Sequence, residues 1–537
     1  MSWVGGERKR LFARRPERGS AAMSGESAGL RQRFAWPLGV DAVWLASPLF
    51  VLALAAIFSP IRPFDYFWAL VQGRACVQLG RIPTENAFLY TLPAGAPFFD
   101  QPWLSQLAMF WVYRTGGHAA NLLVLALCLG LSFALLIDTA LRLGGDARVV
   151  ALVALLAVPL VVLGAGVRTQ MFAYPCFAIL LRQAALSGPE VKLRSLLVSV
   201  LVAAFWANVH GSFVLAPLLL AAPVAAALVD LVRKRGSLRS ALNRSLACLA
   251  AAIGTCLNPS GPWVYVYVAR LGRSMRVASG TDVAEWRALS LSTDPGLLFA
   301  ALALASLGPL LVFRQNSRPA LTLLFLSFGV LSLSSQRFVC WWALAAIVTV
   351  GPLIQHAGPS APRGKPVLNA LLVAFFGGTL LTASPGMPLF ESVVRARQAA
   401  SPDMRVFGRE TPVHLVDLLA LGEYPGRLFH NQAIGGLLEW ALARDAPKAV
   451  AFVDQRFELI PAPVWRDYFA ISEAHSGYER LLERYGVGTL LIHDQQDAPL
   501  VKALSADPAY TLVARERGYS LFMRRPEIAS RAGERWQ

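Results

Sequence analysis

Residues 122–137 read Leu-Leu-Val-Leu-Ala-Leu-Cys-Leu-Gly-Leu-Ser-Phe-Ala-Leu-Leu-Ile, with neither a charge nor a proline among them. Extended to residues 118–141, the run matches the ~20 apolar residues that a helix needs to cross the hydrocarbon core of a bilayer. The rest of the chain repeats this pattern. Of 537 residues, 55% are hydrophobic and only 15% are charged, with a mean hydropathy of +0.49. A soluble globular chain carries nearer ~25% charge. Disordered, collagen-like and disulfide-scaffold classes are excluded by the same figures. The composition is that of an α-helical polytopic membrane protein.

Comparable runs lie near residues 37–60, 149–167, 171–186, 195–210, 212–232, 245–258, 296–313, 320–335, 338–355 and 367–384, so about eleven transmembrane helices are expected. Threaded alternately from a cytoplasmic N-terminus, they place five basic clusters on one side. These are Arg142/Arg148, Arg182/Lys192/Arg194, Arg233 to Arg244, Arg314/Arg318 and Arg363/Lys365. Short loops rich in Lys and Arg stay in the cytoplasm. The outer side then receives loops 61–117 and 259–295 and everything after residue 384. Trp103–Tyr113 is too short to cross and reads as a re-entrant or interfacial helix.

Charge sets the domain boundaries. Residues 1–390 hold 32 basic and 14 acidic side chains, whereas residues 391–537 hold 18 and 19. Residues 1–36 form a basic cytoplasmic segment, 37–390 a multi-span membrane domain, and 391–537 an extracytoplasmic α/β domain expected to fold by itself. Within that domain Val450–Val453 and Thr489–Ile492 read as strands, and Tyr510–Ala514 with Tyr519–Met523 as a hairpin. Ile434–Ala443 and Gly477–Tyr485 read as helices. The overall charge of +17 is a topology signal, and no nucleic-acid partner is expected. The six cysteines form no C-x-x-C pair and read as free thiols.

Acids are scarce in the membrane part, and six of them fall in the two outer loops: Asp65, Glu85 and Asp100, then Asp282, Glu285 and Asp294. Arg168, Gln170, Asn208, His210, Asn258 and Arg337 stand at the outer ends of expected helices. Ionisable groups at membrane depth are costly and usually face a cavity or the bundle interior. Carboxylates, a histidine and two arginines on one face suit acid–base work beside an anionic group. Each residue also has a structural reading. Asp65 caps the helix that begins near Tyr66, His210 bonds a neighbouring helix, Arg168 and Arg337 anchor at headgroups, and Glu85 and Asp100 are solvated loop acids. Tyr66 and Trp68 supply rings for the interface or for stacking on a sugar.

Three stretches, Asp65-Tyr-Phe-Trp-Ala-Leu-Val-Gln-Gly73, Gly80-Arg-Ile-Pro-Thr-Glu-Asn86 and Gln101-Pro-Trp-Leu-Ser-Gln106, resemble bacterial membrane proteins of the GT-C glycosyltransferase class. Arg168-Thr-Gln170, Trp206-Ala-Asn-Val-His-Gly211, Asn258-Pro-Ser-Gly261 and Glu285-Trp286 look like later signatures of the same group. Phe452-Val-Asp-Gln-Arg456 and Gly435-Gly436 look like its C-terminal domain. The resemblance implies sugar transfer from a polyprenyl-phosphate donor, drawn from the membrane lipid, to a glycan, lipid or protein acceptor at the outer face of the plasma membrane. By position Asp65 matches the class's first-loop acid, with Glu85, Asp100 or Glu285 as the second. Arg168, Arg337 and His210 would neutralise the lipid phosphate, with Gln170 and Asn208 also on the substrate. The class often pairs acids in the first loop; here Phe64 and Tyr66 flank Asp65, which leaves a divalent metal an open option. A lipid-linked-sugar transporter and a non-catalytic envelope assembly protein are the alternatives, and neither demands the Asp65 carboxylate.

Overall fold

The computed structural model describes residues 39–188, 190, 192–277, 287–355, 365–395, 406–408 and 410–525. The basic segment 1–36, Asp282, Glu285 and Trp286 lie outside the described residues.

Fourteen helices run through the membrane part in chain order: α1 Val40–Ile57, α2 Pro63–Leu79, α3 Trp103–Arg142, α4 Ala147–Gly164, α5 Ala173–Leu186, α6 Leu193–Val209, α7 Leu215–Val232, α8 Leu238–Thr255, α9 Val264–Val277, α10 Asp294–Val312, α11 Pro319–Ser334, α12 Val339–Val350, α13 Pro366–Thr382 and α14 Pro388–Arg395, counted among the described residues. Each of the eleven apolar runs is helical. Six segments are long and apolar enough to cross a membrane: Val40–Ile57, Trp103–Arg142, Ala147–Gly164, Gly211–Val232, Asp294–Val312 and Gln336–Leu353. Leu193–Val209, Pro319–Ser334 and Pro366–Thr382 are apolar but shorter. The chain is a multi-pass membrane protein. Every residue of α12 is buried, which makes it the axis of the bundle. Its Trp341 packs on Tyr174, Phe177 and Trp206 from α5 and α6.

Four of the five turns that carry the basic clusters meet one another. Arg182 bonds Asp138 at 2.6 Å, Gly145 bridges Gln355, and Arg318 reaches the Ala185 carbonyl. The short helix expected at Trp103–Tyr113 is the first part of α3. It is separated from the span by non-helical backbone at Gly116 and Gly117, the latter at φ +68°. Glycine is the residue that takes this conformation at little cost, so the short helix joins the long apolar one without a loop.

The C-terminal part adds α15 Val413–Leu421, β1 Arg427–His430, α16 Gly435–Leu442, α17 Ala462–Ser472, α18 Tyr478–Tyr485, β2 Val487–His493, α19 Ala498–Ala506, β3 Tyr510–Glu516 and β4 Tyr519–Arg524. The strand order is β1-β2-β4-β3, with β1 parallel to β2 and the other pairs antiparallel. The expected hairpin and the 489–492 strand are present. Val450–Val453 corrects the reading of a strand: Ala451 bridges Leu89 in the first outer loop instead of joining the sheet. Its continuous apolar run reflects burial between two parts of the molecule.

That contact belongs to a broad junction. One apolar cluster runs without interruption from the bundle into Ile434, Leu437, Leu438, Leu491 and Leu521. Arg74 of α2 donates to the carbonyls of Trp440, Glu439 and Ala443 and lies 4.4 Å over the Trp440 ring. A guanidinium at the last carbonyls of α16 satisfies groups that a helix end leaves bare and complements its dipole. Gly436 lets α16 approach closely, since a Cβ there would lie 2.6 Å from the Trp68 backbone nitrogen. The helix carrying Asp65 is thus clamped from above.

Candidate functional site

α2 starts with Pro63 at its first position and ends on Gly80 at φ +64°, so both ends are set by residues suited to them. Its N-cap is Arg62, with no side-chain cap bond. Asp65 is therefore inside the first turn and not the capping residue, which corrects the capping reading. Its carboxylate is 42% exposed and lies 3.8 Å from Arg168, which is only 16% exposed. Arg168 also donates to the Gly164 carbonyl at 3.0 Å. Gly164 packs against Cys340, whose thiol bonds the Arg337 carbonyl, so the Arg168 and Arg337 turns are braced together.

His210 completes the group. Both Arg168 and Arg337 lie close enough to act on its ring electrostatically. Its Nδ1 accepts the backbone N–H of Ser212 at 3.1 Å and meets the Ser212 hydroxyl at 2.7 Å. A ring nitrogen that accepts an N–H carries no proton, so Nε2 is the nitrogen left to donate. Trp206 Nε1 holds the same Ser212 hydroxyl at 3.1 Å. Arg168 thus links the accessible Asp65 carboxylate to the His210 ring, which Arg337 also influences, across the ends of four chain segments.

The other predicted residues divide. Asn208 has both ends of its amide engaged, donating to Ala204 and Leu257 carbonyls and accepting from Trp103 Nε1 at 2.8 Å. With Gln101 bonded to the Ala207 carbonyl and Ser105 to that of Val209, it bolts the 101–106 turn to the His210 turn. Gln170, buried, reaches Tyr174 and Cys340 and braces the two arginine turns. Asn258 closes its own turn through Thr255, Gly261 and Ser260. Glu85 is exposed and pairs by its backbone with Pro97, in a loop hairpin apart from the arginines. Tyr66 turns inward, fully buried against His118 at 2.8 Å, and presents no ring to a substrate.

Asp100 departs most from a solvated loop acid. It is 1% exposed, and neither carboxylate oxygen has a hydrogen-bond partner among the described residues. Burial pushes its carboxyl up to about 7, against the weaker opposing pull of Gln106 and Arg456. Between about pH 4 and about 7 the folded chain therefore holds a proton that the unfolded chain has released, so stability falls as pH rises through that window. Asp100→Asn is expected to remove this part of the slope when unfolding of the detergent-purified protein is followed from pH 4 to 8. An unchanged slope would show that Asp100 ionises normally.

Among the described residues no group of three or more His, Cys, Asp or Glu is placed to hold a metal ion.

The chain matches no protein-family model and no curated protein sequence. Among solved structures it is similar to the archaeal oligosaccharyltransferase AglB from Archaeoglobus fulgidus, in complex with an inhibitory peptide and a dolichol-phosphate. That match has a TM-score of 0.45 and 13% identity, covering 90% of this chain and 74% of the other. It is also similar to ArnT from Cupriavidus metallidurans in the apo state, with a TM-score of 0.44, 15% identity, and coverage of 90% and 97%.

Proposed function

We propose that the chain is a membrane glycosyltransferase of the GT-C type, moving a sugar from a polyprenyl-phosphate donor to an acceptor at the outer face of the membrane. The observation that carries this reading is the Asp65 carboxylate, accessible and 3.8 Å from Arg168, whose charge, with that of Arg337, also reaches His210. An acceptor hydroxyl oxygen attacks the anomeric carbon, its proton passes to Asp65, and the bond from that carbon to the phosphate oxygen breaks. Negative charge grows on the departing lipid phosphate, and Arg168, Arg337 and the His210 Nε2–H are positioned to stabilise it. The polyprenyl chain stays in the bilayer beside the outer helix ends. This reading places the N-terminus in the cytoplasm and residues 391–537 outside.

Transporter and assembly readings account for cations at membrane depth but leave the Asp65–Arg168 juxtaposition without a use. Undecaprenyl phosphate binding tests the phosphate site directly. In nanodiscs, native mass spectrometry is expected to show the lipid bound to the wild-type protein. Arg168→Ala and Arg337→Ala should each weaken it about tenfold, the effect of losing one charge-assisted contact. Equal binding in the wild type and both variants would overturn the site.

A further inference from the structure

Seven buried side-chain polar atoms gather near α2 without a hydrogen-bond partner among the described residues: Trp68 Nε1, both amide atoms of Gln72, both of Gln106 and both Asp100 oxygens. Gln72 and Asp100 are 1% exposed, and Gln106 is fully buried. A buried polar group left unmatched costs about 1–3 kcal/mol, and native structures hold few of them. Such a concentration calls for a use.

Their placement links them to the site. At 3.6 residues per turn, Trp68, Gln72 and Cys76 fall within about 60° of Asp65 on one face of α2. The Gln106 backbone presses against Gly73, where a Cβ would lie 2.3 Å from its carbonyl oxygen. Asp100 acts electrostatically on Cys76 and on Tyr267, and Gln106 is its nearest favourable side chain although no atom pair between them has hydrogen-bonding geometry. The polar stripe therefore runs from Asp65 along α2 to Asp100 and Gln106, where Arg456 and Glu458 of the C-terminal part act on Asp100.

The chemistry of the set selects its ligand. Two carboxamides each offer donors and an acceptor, an indole N–H donates, and a carboxyl with its affinity near neutrality does either. Arginine and lysine are missing from the four, so it does not suit a phosphate. Seven polar atoms do not suit a prenyl chain. Hydroxyl groups, each both donor and acceptor, match it. We infer that Trp68, Gln72, Asp100 and Gln106 form a saccharide-binding subsite that continues from Asp65. This inference rests on the glycosyltransferase reading and names where that reaction's sugar hydroxyls are held. The subsite is closed in this structure, so a saccharide reaches it as part of the wall beside Asp100 moves aside. Tyr267 and Glu458, joined at 2.7 Å, stand there.

The test uses the full-length protein in nanodiscs of phosphatidylethanolamine and phosphatidylglycerol. Saturation-transfer NMR is run with the methyl glycosides of glucose, galactose, mannose, N-acetylglucosamine and rhamnose. At least one should bind the wild type, and Gln72→Leu and Gln106→Leu should each weaken it about tenfold. The unfolding temperature should be unchanged or raised, because an apolar group relieves an unmatched one. Gln→Met at the same position serves if a Leu variant does not fold. Undecaprenyl phosphate binding should be the same in these variants as in the wild type. No bound glycoside in the wild type, or equal binding in both variants, overturns the subsite and shows that these amides only hold structural water. Failure of undecaprenyl phosphate to bind the wild type would instead sink the donor reading. Competition by undecaprenyl-phosphate glucose, but not by undecaprenyl phosphate, would assign the subsite to the donor sugar; its absence would assign it to the acceptor.

Discussion

Asp65→Asn is expected to lower the rate of sugar transfer at least ~10²-fold while leaving membrane insertion and lipid-phosphate binding intact. The assay is release of undecaprenyl phosphate from a panel of undecaprenyl-phosphate sugars in proteoliposomes, with the wild type consuming at least one. Asparagine keeps the size and polarity of the side chain but cannot take a proton. The helix does not depend on the carboxylate for a cap, since Arg62 occupies that place. What the helix loses is the favourable interaction of one acid with its first turn, about 0.3–1 kcal/mol. Arg168 retains its bond to the Gly164 carbonyl. The variant thus separates a base from an electrostatic prop. A prop would change donor binding and leave turnover largely unaltered, whereas a base changes turnover alone. A fully active Asp65→Asn protein would return the residue to a structural role.

The sequence made the membrane part legible because a bilayer imposes a coarse requirement, a long apolar run. It also brought Asp65, Arg168, His210 and Arg337 to one side, since residues at the same ends of crossing helices share a depth. What local pattern could not supply was the state of the loop acids. Glu85 and Asp100 look alike in sequence, yet one is exposed and the other sealed. The difference is made by distant segments: Ala451 pairs with Leu89, and the Arg456 guanidinium lies 5.1 Å from the Phe98 ring centroid. The same docking explains Val450–Val453, whose pattern is right for burial but whose partner is a loop. β1 has only four residues, so it does not announce itself strongly. Gln72 and Gln106 carried a signal, amides in helices near the loop acids, but only their burial without partners among the described residues gives it meaning.

Arg456→Met should be the most destabilising single change, costing about 3–5 kcal/mol, because it leaves a buried acid without its counter-charge. Arg456 is 2% exposed; its Nε donates to Asp454 at 2.6 Å, and the Asp454 carboxylate also takes the Arg456 backbone N–H at 2.8 Å. Glu439 lies 3.4 Å from the same guanidinium. Burial, and then the Asp454 charge, push the Glu439 carboxyl well above its ordinary range, which favours its protonated form. The cluster then balances as one arginine against one aspartate. Its charge state predicts an order: Arg456→Met and Asp454→Asn severe, Glu439→Gln under ~1 kcal/mol because it replaces one neutral group by another. The sign with pH follows. Glu439 holds its proton in the folded state above the pH at which an unfolded glutamate releases it, so its share of stability falls as pH rises from about 4. Glu439→Gln should remove that fall. Unfolding of the purified variants, followed at pH 5 and pH 8, checks both the order and the slope. A severe Glu439→Gln would mean that Glu439 is ionised and that Arg456 serves two carboxylates. The effect should extend beyond the C-terminal domain, because Arg456 packs on Phe98 two residues before Asp100. Loss of the guanidinium also removes a charge that pulls the Asp100 carboxyl down, so the pH dependence that Asp100 supplies above about 4 should persist or steepen in this variant.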